Sequence, residues 1–391
     1  MTDHTTQAIC FVVPDYPSKN RPVYVFVQQL AEILVDQGFC ISIVAPQSLT
    51  RALFRRVPVM PKHEIYTTQK GNNYKVYRPY SISFGNGMKP LYSIFYRFNQ
   101  GNINRCLEQI DPQVLYGHFW ESATRVVSYA ASHNRPLYVA CGESHDLFDK
   151  WIGGLSNQQK EHLRRHVTGV ICVSSANQRR CIEHHLCDRA NSIVLPNCVN
   201  TDLFSPQDAK DRKAQLGIRE NDFTLVFVGA FTARKGPDRV AAAIKKLKDK
   251  HLKVLFIGKN MDGYDYPFDC PGIIYKGTAA HDQLPNLLNC ADAFVLPTRN
   301  EGCCNAIVEA LACGLPVISS NGAFNDDILD QHNSIRINPD DENAIAASIA
   351  YLRDHPDKRK TMKEYSINRH HIYSIENRAQ KIINFIHTLM R

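Results

Sequence analysis

Two doubly wound α/β domains are the fold class this sequence predicts, and three observations carry the expectation. Short apolar runs of strand type alternate with helical patterns along the chain, which builds parallel sheets from βαβ units. Its 391 residues exceed what one hydrophobic core usually organises, so two domains of about 200 residues are expected. A stretch at 196–211, rich in Pro, Asn and Asp and free of periodicity, separates the two series and reads as the interdomain linker.

The N-terminal series opens with a strand at 8–13, an amphipathic helix at 24–37 stopped by Gly38, and a strand at 40–44. A strand at 114–118, a helix at 122–132 and a strand at 136–141 form the next unit. The last has a strand at 170–173, a helix at 176–184 and a strand at 192–195. The second series starts with a strand at 225–228 and a helix at 236–248, opened by Pro237, whose fixed φ suits a first helical turn. Strands at 253–257 and 273–276, a helix at 282–290, a strand at 293–296, a helix at 305–312 and a strand at 316–319 follow. An amphipathic helix capped by Ser374 runs to Met390. The expected boundaries are therefore 1–196, 197–373 and a C-terminal helix at 374–391. Ligands of such sheets sit at the carboxyl ends of the strands, so chemistry is sought in the loops there.

Composition narrows the function. With 44% hydrophobic and 21% charged residues the chain has ordinary globular usage, which excludes disorder and fibrous repeats. No apolar run approaches the roughly 20 residues that cross a bilayer, and the N-terminus lacks the basic segment of a signal peptide. Thirteen scattered cysteines without a Cys-x-x-Cys pair fit reduced thiols in a cytosol. The stretch Cys181-Ile-Glu-His-His-Leu-Cys187 contains metal-type donors but not the usual ligand spacing of zinc sites. A helix and its cap are the preferred reading, and no metal is expected. Charge is uneven: residues 1–196 hold 21 basic and 14 acidic side chains, nearly all of the net +8. Such an excess attracts acidic substrates, anionic lipid or nucleic acid, but no recognised nucleic-acid module accompanies it, and nucleic acid is not expected as a partner. Dinucleotide, P-loop and Gly-x-Ser-x-Gly fingerprints are absent, which removes several common α/β functions.

Two loops of the second series carry the chemistry. Gly229-Ala-Phe-Thr-Ala-Arg234-Lys235-Gly236-Pro237 puts two cations at the carboxyl end of a strand beside a helix N-terminus, a setting for phosphate oxygens. Taken alone, that loop reads equally as a solvated turn with two surface cations. The second loop, Pro297-Thr-Arg-Asn-Glu301-Gly302-Cys303-Cys304-Asn305-Ala-Ile-Val-Glu309, has carboxylates eight apart. Glu301 falls on the loop and Glu309 about one turn inside the helix, so both face the mouth at which the helix amides point. One carboxylate can accept from ribose hydroxyls and the other from a sugar, while the amides from Gly302 to Asn305 face an anion.

These residues are similar to the donor site of glycosyltransferase family 4, retaining enzymes of the GT-B fold that use nucleotide sugars. The resemblance extends across most of the chain. Val173-Ser174-Ser175 with Leu195-Pro196-Asn197-Cys198-Val199-Asn200-Thr201-Asp202 is similar to the family's interdomain segment. Gly277, Asp282-Gln-Leu-Pro and Ala291-Asp292-Ala293 match the stretch that passes the nucleotide base. The resemblance implies two Rossmann-like domains facing each other across a cleft, the first for the acceptor and the second for the donor, with the C-terminal helix crossing back. It implies that Arg234 and Lys235 neutralise the diphosphate, that Glu309 binds the ribose and Glu301 the transferred sugar, and that amides near Cys303, Cys304 and Asn305 contact sugar or phosphate. The implied donor is a nucleotide-diphosphate sugar, a uridine one by preference, with no divalent metal or other cofactor. The acceptor hydroxyl would attack the face that the diphosphate leaves, without a protein nucleophile.

Two departures stand out. The glycine-rich turn that many members carry after the first strand reads here Pro14-Asp-Tyr-Pro-Ser-Lys19-Asn-Arg21-Pro-Val-Tyr-Val25, without glycine. Either Lys19 or Arg21 substitutes by charge, or the loop contacts the acceptor. Where relatives have His-Gly, this chain has Cys141-Gly142-Glu143-Ser144, so a base would be Glu143 or His118 at the preceding strand's end. His118 reads equally as a structural histidine. Asn321-Gly322 with Asn325-Asp326-Asp327 reads as a neighbour of the sugar or as a turn before a helix. Two basic stretches, Arg51 to Lys62 and Lys89 to Arg105, carry Leu, Phe and Tyr beside their cations, which suits an anionic membrane surface or ordinary surface helices. The implied activity is transfer to a saccharide or lipid-linked saccharide in cell-surface polysaccharide or glycolipid assembly, in the cytoplasm or peripheral on the cytoplasmic face of the membrane. A non-catalytic GT-B scaffold or partner subunit, and an epimerase or phosphorylase on the same fold, are the alternatives.

Overall fold

The computed structural model describes residues 7–18, 23–55, 57–82, 92–261 and 265–390. Lys19, Arg21, Arg56 and Lys89 lie outside them. The chain divides into two compact units, one of Met1–Val173, Asn177–Leu195 and Ala379–Arg391, the other of Ser174–Ala176 and Pro196–Arg378. Both are Rossmann-like.

Among the described residues, the main sheet of the first unit has eight strands: β1 (Ala8–Val12), β2 (Cys40–Val44), β3 (His63–Thr67), β4 (Asn73–Tyr77), β5 (Val114–His118), β6 (Leu137–Cys141), β7 (Val167–Cys172) and β8 (Ser192–Val194). They lie in the order β8-β7-β6-β5-β1-β2-β4-β3, parallel except for the antiparallel edge strand β3. Nearly continuous apolar strands such as Ala8-Ile-Cys-Phe-Val are what a parallel sheet covered on both faces requires. Phe11 of β1 stacks on Tyr116 of β5 at 4.5 Å, and the helix Val25–Asp36 turns Val27, Leu30, Ala31, Leu34 and Val35 inward. Sequence analysis passes over the edge strand β3 and its neighbour β4 because alternate side chains of both are exposed, leaving little apolar signal. From Ala379 onward the final helix, Ile375–Met390, belongs to this unit, as the crossing-back helix implied. Tyr138 Oη donates to Ile386 O at 3.0 Å. Gly169 on β7 lets the helix approach, since a Cβ there would lie 2.7 Å from Leu389 and 2.9 Å from Phe385.

Among its described residues the second unit has a sheet of six parallel strands: β9 (Phe223–Val228), β10 (Leu252–Ile257), β11 (Ile273–Gly277), β12 (Ala293–Leu296), β13 (Val317–Ser320) and β14 (Ser334–Ile337). Their order is β11-β10-β9-β12-β13-β14, so connections leave β9 in one direction and β12 in the other. That reversal separates the loops after β9 and β12 and opens a crevice for ligand at their carboxyl ends. The helix expected at 282–290 is shortened to Leu284–Leu288, with turns on either side. Two helices absent from the sequence expectation, Glu342–Asp354 and Pro356–Asn368, follow β14. The Asp341 carboxylate caps the first of them, accepting from the Asn343 and Ala344 amides at 2.9 and 3.0 Å. The stretch 196–211 is not a free linker: Val199 pairs with Ser374, and the helix Lys210–Gln215 begins within it. Among the described residues no helix is long and apolar enough to cross a membrane.

Candidate active site

The loops after β9 and β12 meet through charge. Arg234 Nη1 donates to Asn300 O at 2.6 Å and to Glu301 Oε1 at 2.7 Å, and Lys235 Nζ reaches the same carboxylate oxygen at 2.6 Å. Thr298 Oγ1 donates to it as well, at 2.7 Å. The backbone also ties the loops, with Arg299 N donating to Arg234 O at 2.9 Å. Arg239 braces both, giving one hydrogen bond to Ala233 O and one to Pro297 O, each 2.7 Å. Gly236 makes room for that brace: its φ of +76° is left-handed, and a Cβ there would fall 2.3 Å from Arg239 Nη2.

Two cations and one carboxylate leave this cluster with a net positive charge, and it stands beside the first turn of the helix Asn305–Ala312. Unsatisfied amides and the helix dipole point the same way, toward an anion. The loop 301–305 is held from behind, where Asn197 Nδ2 donates to Cys303 O at 3.1 Å and to Asn305 Oδ1 at 2.8 Å. Gly302, Cys303 and Cys304 are buried. Lys235 Nζ lies 3.7 Å from Cys304 Sγ. Burial disfavours the Lys235 charge, but the Cys304 sulphur and the Glu301 carboxylate outweigh it and hold the ammonium pKa above its ordinary value. Burial pushes the Cys304 thiol up, against the pull of Lys235.

Glu309 lies on the fifth residue of that helix, one turn in, and is buried. His281 Nε2 stands 3.4 Å from its Oε1, and Phe204 packs edge-on against the imidazole at 5.1 Å. Sequence analysis missed His281. Its signal was its place directly before Asp282-Gln-Leu-Pro, in the stretch that resembles the base-passing segment. Residues of the group 321–327 are engaged by other protein groups. Asn325 Nδ2 donates to Ser320 O at 2.9 Å, Asp326 pairs with Arg336 at 2.7 Å, and Asp327 accepts from the Ser175 amide at 2.7 Å.

In the first unit, β5 and β6 are neighbours and bring His118 and the Glu143 turn to the same sheet edge. His118 is buried among aromatic rings, with Phe119 at 4.4 Å and Phe26 at 5.3 Å. Glu143 is buried too. Its Oε1 accepts from the Trp120 amide at 2.5 Å, at the start of the helix Trp120–Ser132, and its Oε2 accepts from the Gly142 amide at 3.0 Å. Burial, then the neighbouring Cys141, pushes this carboxyl well above its ordinary value despite those amides. The carboxyl therefore helps cap a helix and holds its proton to higher pH than an exposed carboxyl does.

Comparison with known proteins identifies the family and fold of the chain. Residues 23–203 match the model of Glycosyltransferase Family 4, and residues 208–369 that of Glycosyl transferases group 1. A putative teichuronic acid biosynthesis glycosyltransferase of Bacillus subtilis (strain 168) is 24% identical over 362 residues, covering 87% of this chain and 88% of that protein. A UDP-Gal:alpha-D-GlcNAc-diphosphoundecaprenol alpha-1,3-galactosyltransferase of Escherichia coli is 32% identical over 165 residues, which are 39% of this chain and 43% of the relative. The sucrose-phosphate synthase structure from Thermosynechococcus elongatus matches with a TM-score of 0.77 over 98% of this chain and 99% of its own, at 16% identity, and so shares the fold. With matches to both halves and the paired Rossmann-like units, the chain belongs to the GT-B glycosyltransferases of family 4.

Proposed function

We propose that this glycosyltransferase is a retaining, metal-independent enzyme that moves a sugar from a uridine diphosphate sugar to a saccharide or lipid-linked saccharide in cell-surface polysaccharide or glycolipid assembly. The meeting of Arg234, Lys235 and Glu301 beside the N-terminus of the helix Asn305–Ala312 is the observation that carries this reading. Arg234 and Lys235 take the charge that grows on the diphosphate as the anomeric C–O bond breaks, which is the work a divalent ion does elsewhere. Glu309, oriented by His281, accepts from the ribose hydroxyls. Glu301 Oε1 holds the two cations in register, and Oε2 is assigned to a hydroxyl of the transferred sugar. Amides at Cys303, Cys304 and Asn305 contact sugar or phosphate.

The acceptor hydroxyl attacks the face that the diphosphate leaves, and its proton passes to the departing phosphate oxygen. Glu143, with its raised pKa, and His118 are the first unit's groups for orienting the acceptor or taking that proton. The galactosyltransferase relative, whose name specifies a UDP sugar and a diphosphoundecaprenol-linked saccharide, favours uridine and a lipid-linked acceptor here. A peripheral position on the cytoplasmic face of an anionic membrane is supported by Leu53, Phe54, Val59 and Ile94, exposed by 74%, 70%, 50% and 59%, with Arg51 and Lys62 also exposed.

The test is calorimetric and thermal-shift binding of uridine, guanosine and adenosine diphosphates and their sugars, without metal. Stabilisation by the uridine compounds, lost in Glu309→Ala, is the expected result, followed by a product that keeps the donor's anomeric configuration by NMR. No stabilisation by any nucleotide refutes the donor site and leaves the scaffold reading in its place.

A further inference from the structure

Four cysteines from separate stretches of the first unit converge in its core. Cys141 and Cys172 end β6 and β7 and are paired in register on these parallel neighbours, so their side chains leave the same face of the sheet. Cys181 sits on the helix Ser175–Glu183 that follows β7, and Cys187 lies just beyond it. All four are at most 3% exposed. The sulphurs of Cys141, Cys172 and Cys181 lie within 4.8 Å of one another. Cys181 is the hub: its Sγ donates to Cys141 Sγ at 3.5 Å and also interacts with the Cys172 and Cys187 thiols. The polar groups around them include donors and one carboxyl, that of Glu143 beside Cys141. Asn177 Nδ2 points at Cys141 Sγ from 3.6 Å. The Trp120 indole nitrogen, fully buried and without a regular hydrogen bond, lies within electrostatic reach of the same sulphur.

We propose that Cys141, Cys172, Cys181 and Cys187 form a structural site for one soft divalent ion of the zinc type. Sulphurs around a tetrahedral ion at about 2.3 Å stand about 3.8 Å apart, so the three mutually close sulphurs need approach by no more than about 1 Å to enclose it. Each Cys–SH gives up its proton to solvent as its sulphur bonds the ion. Because the sulphurs are sealed from water, the ion enters during folding. It ties the ends of β6 and β7 to the helix and the segment after it. Asn177 extends that tie, since its Nδ2 also donates to Glu143 O at 3.0 Å, which anchors the turn that carries Glu143. The Cys181–Cys187 stretch has the donors of such a site in the sequence, but the partners that complete it come from two strand ends, of which Cys141 lies 40 residues before Cys181. This ion plays no part in donor chemistry.

The full chain, produced in zinc-supplemented cells and purified under reducing conditions without chelator, should carry one equivalent of zinc by elemental analysis. X-ray absorption should show a first shell of sulphur only. Refolding with Co2+ should give the intense thiolate-to-cobalt charge-transfer absorption of a tetrahedral site. Cys181→Ser should lose the ion, and Cys40→Ser, at the exposed start of β2, should keep it. If Cys181→Ser fails to fold, the absorption spectra of the wild-type chain still decide the matter. A folded, fully reduced protein with no bound zinc and no cobalt charge-transfer band overturns the proposal. So does a shell of nitrogen and oxygen ligands, or zinc retained by a folded Cys181→Ser variant.

Discussion

Replacing Glu301 by glutamine keeps its shape and removes one negative charge from between two cations. Its Oε1 accepts from Lys235 at 2.6 Å, Arg234 at 2.7 Å and Thr298 at 2.7 Å, with the Lys235 and Glu301 side chains 11% and 12% exposed. At 2.6 Å and an effective dielectric constant of about 20 the Lys235–Glu301 attraction is about 6 kcal/mol gross, most of it offset by desolvation of the two ions. Breaking a buried pair from one side costs about 3–5 kcal/mol, because the surviving charge is stranded. Arg234 is 41% exposed, so water screens it and it adds little. Glutamine retains one carbonyl acceptor, which brings the expected loss to about 2–4 kcal/mol. For a unit of this size about 2–4 °C accompany each kcal/mol, so Glu301→Gln should lower Tm by roughly 4–16 °C. A nucleoside diphosphate supplies the missing negative charge, so the variant should gain more from UDP than the wild type does, even as its turnover falls. Scanning fluorimetry at low ionic strength, with and without UDP, measures both effects. A variant that melts within about 1 °C of the wild type, or gains less from UDP, refutes the reasoning.

Three further outcomes are expected. Lys235→Ala should reduce turnover by ~10²-fold or more, the scale of losing one charge-stabilising group; steady-state kinetics near wild type would remove Lys235 from the diphosphate site. The Glu143 carboxyl, pushed up by burial and by Cys141, holds its proton to higher pH in the native state than in the unfolded chain. Stability should therefore fall as pH rises from about 4.5 toward that raised value and level off beyond it. Denaturant titrations across this range should show a flatter profile for Glu143→Gln, and an identical slope in both proteins would contradict the assignment. Finally, the chain should sediment with anionic vesicles and be released by salt, with binding weakened in Leu53→Ser plus Phe54→Ser; no sedimentation at low ionic strength would exclude the membrane face.

Local chemistry determined much of this protein from sequence alone. Apolar strands in βα alternation give two parallel sheets, since a strand covered on both faces leaves a continuous hydrophobic run. Arg234, Lys235, Glu301 and Glu309 were legible because loops at the carboxyl ends of strands and a helix N-terminus place their contents by spacing. The edge hairpin β3–β4 was not legible, because half of its side chains are exposed and carry no apolar signal. Only tertiary structure decided who meets whom. Glu301 answers two cations more than 60 residues earlier, His281 finds Glu309, and Glu143 accepts from the start of the helix Trp120–Ser132. Cys141 joins Cys172 and Cys181, 40 residues later at the farther one, for the same reason. Such partners are set by which strands lie side by side, and strand order is a product of packing the whole sheet, which no window of sequence contains.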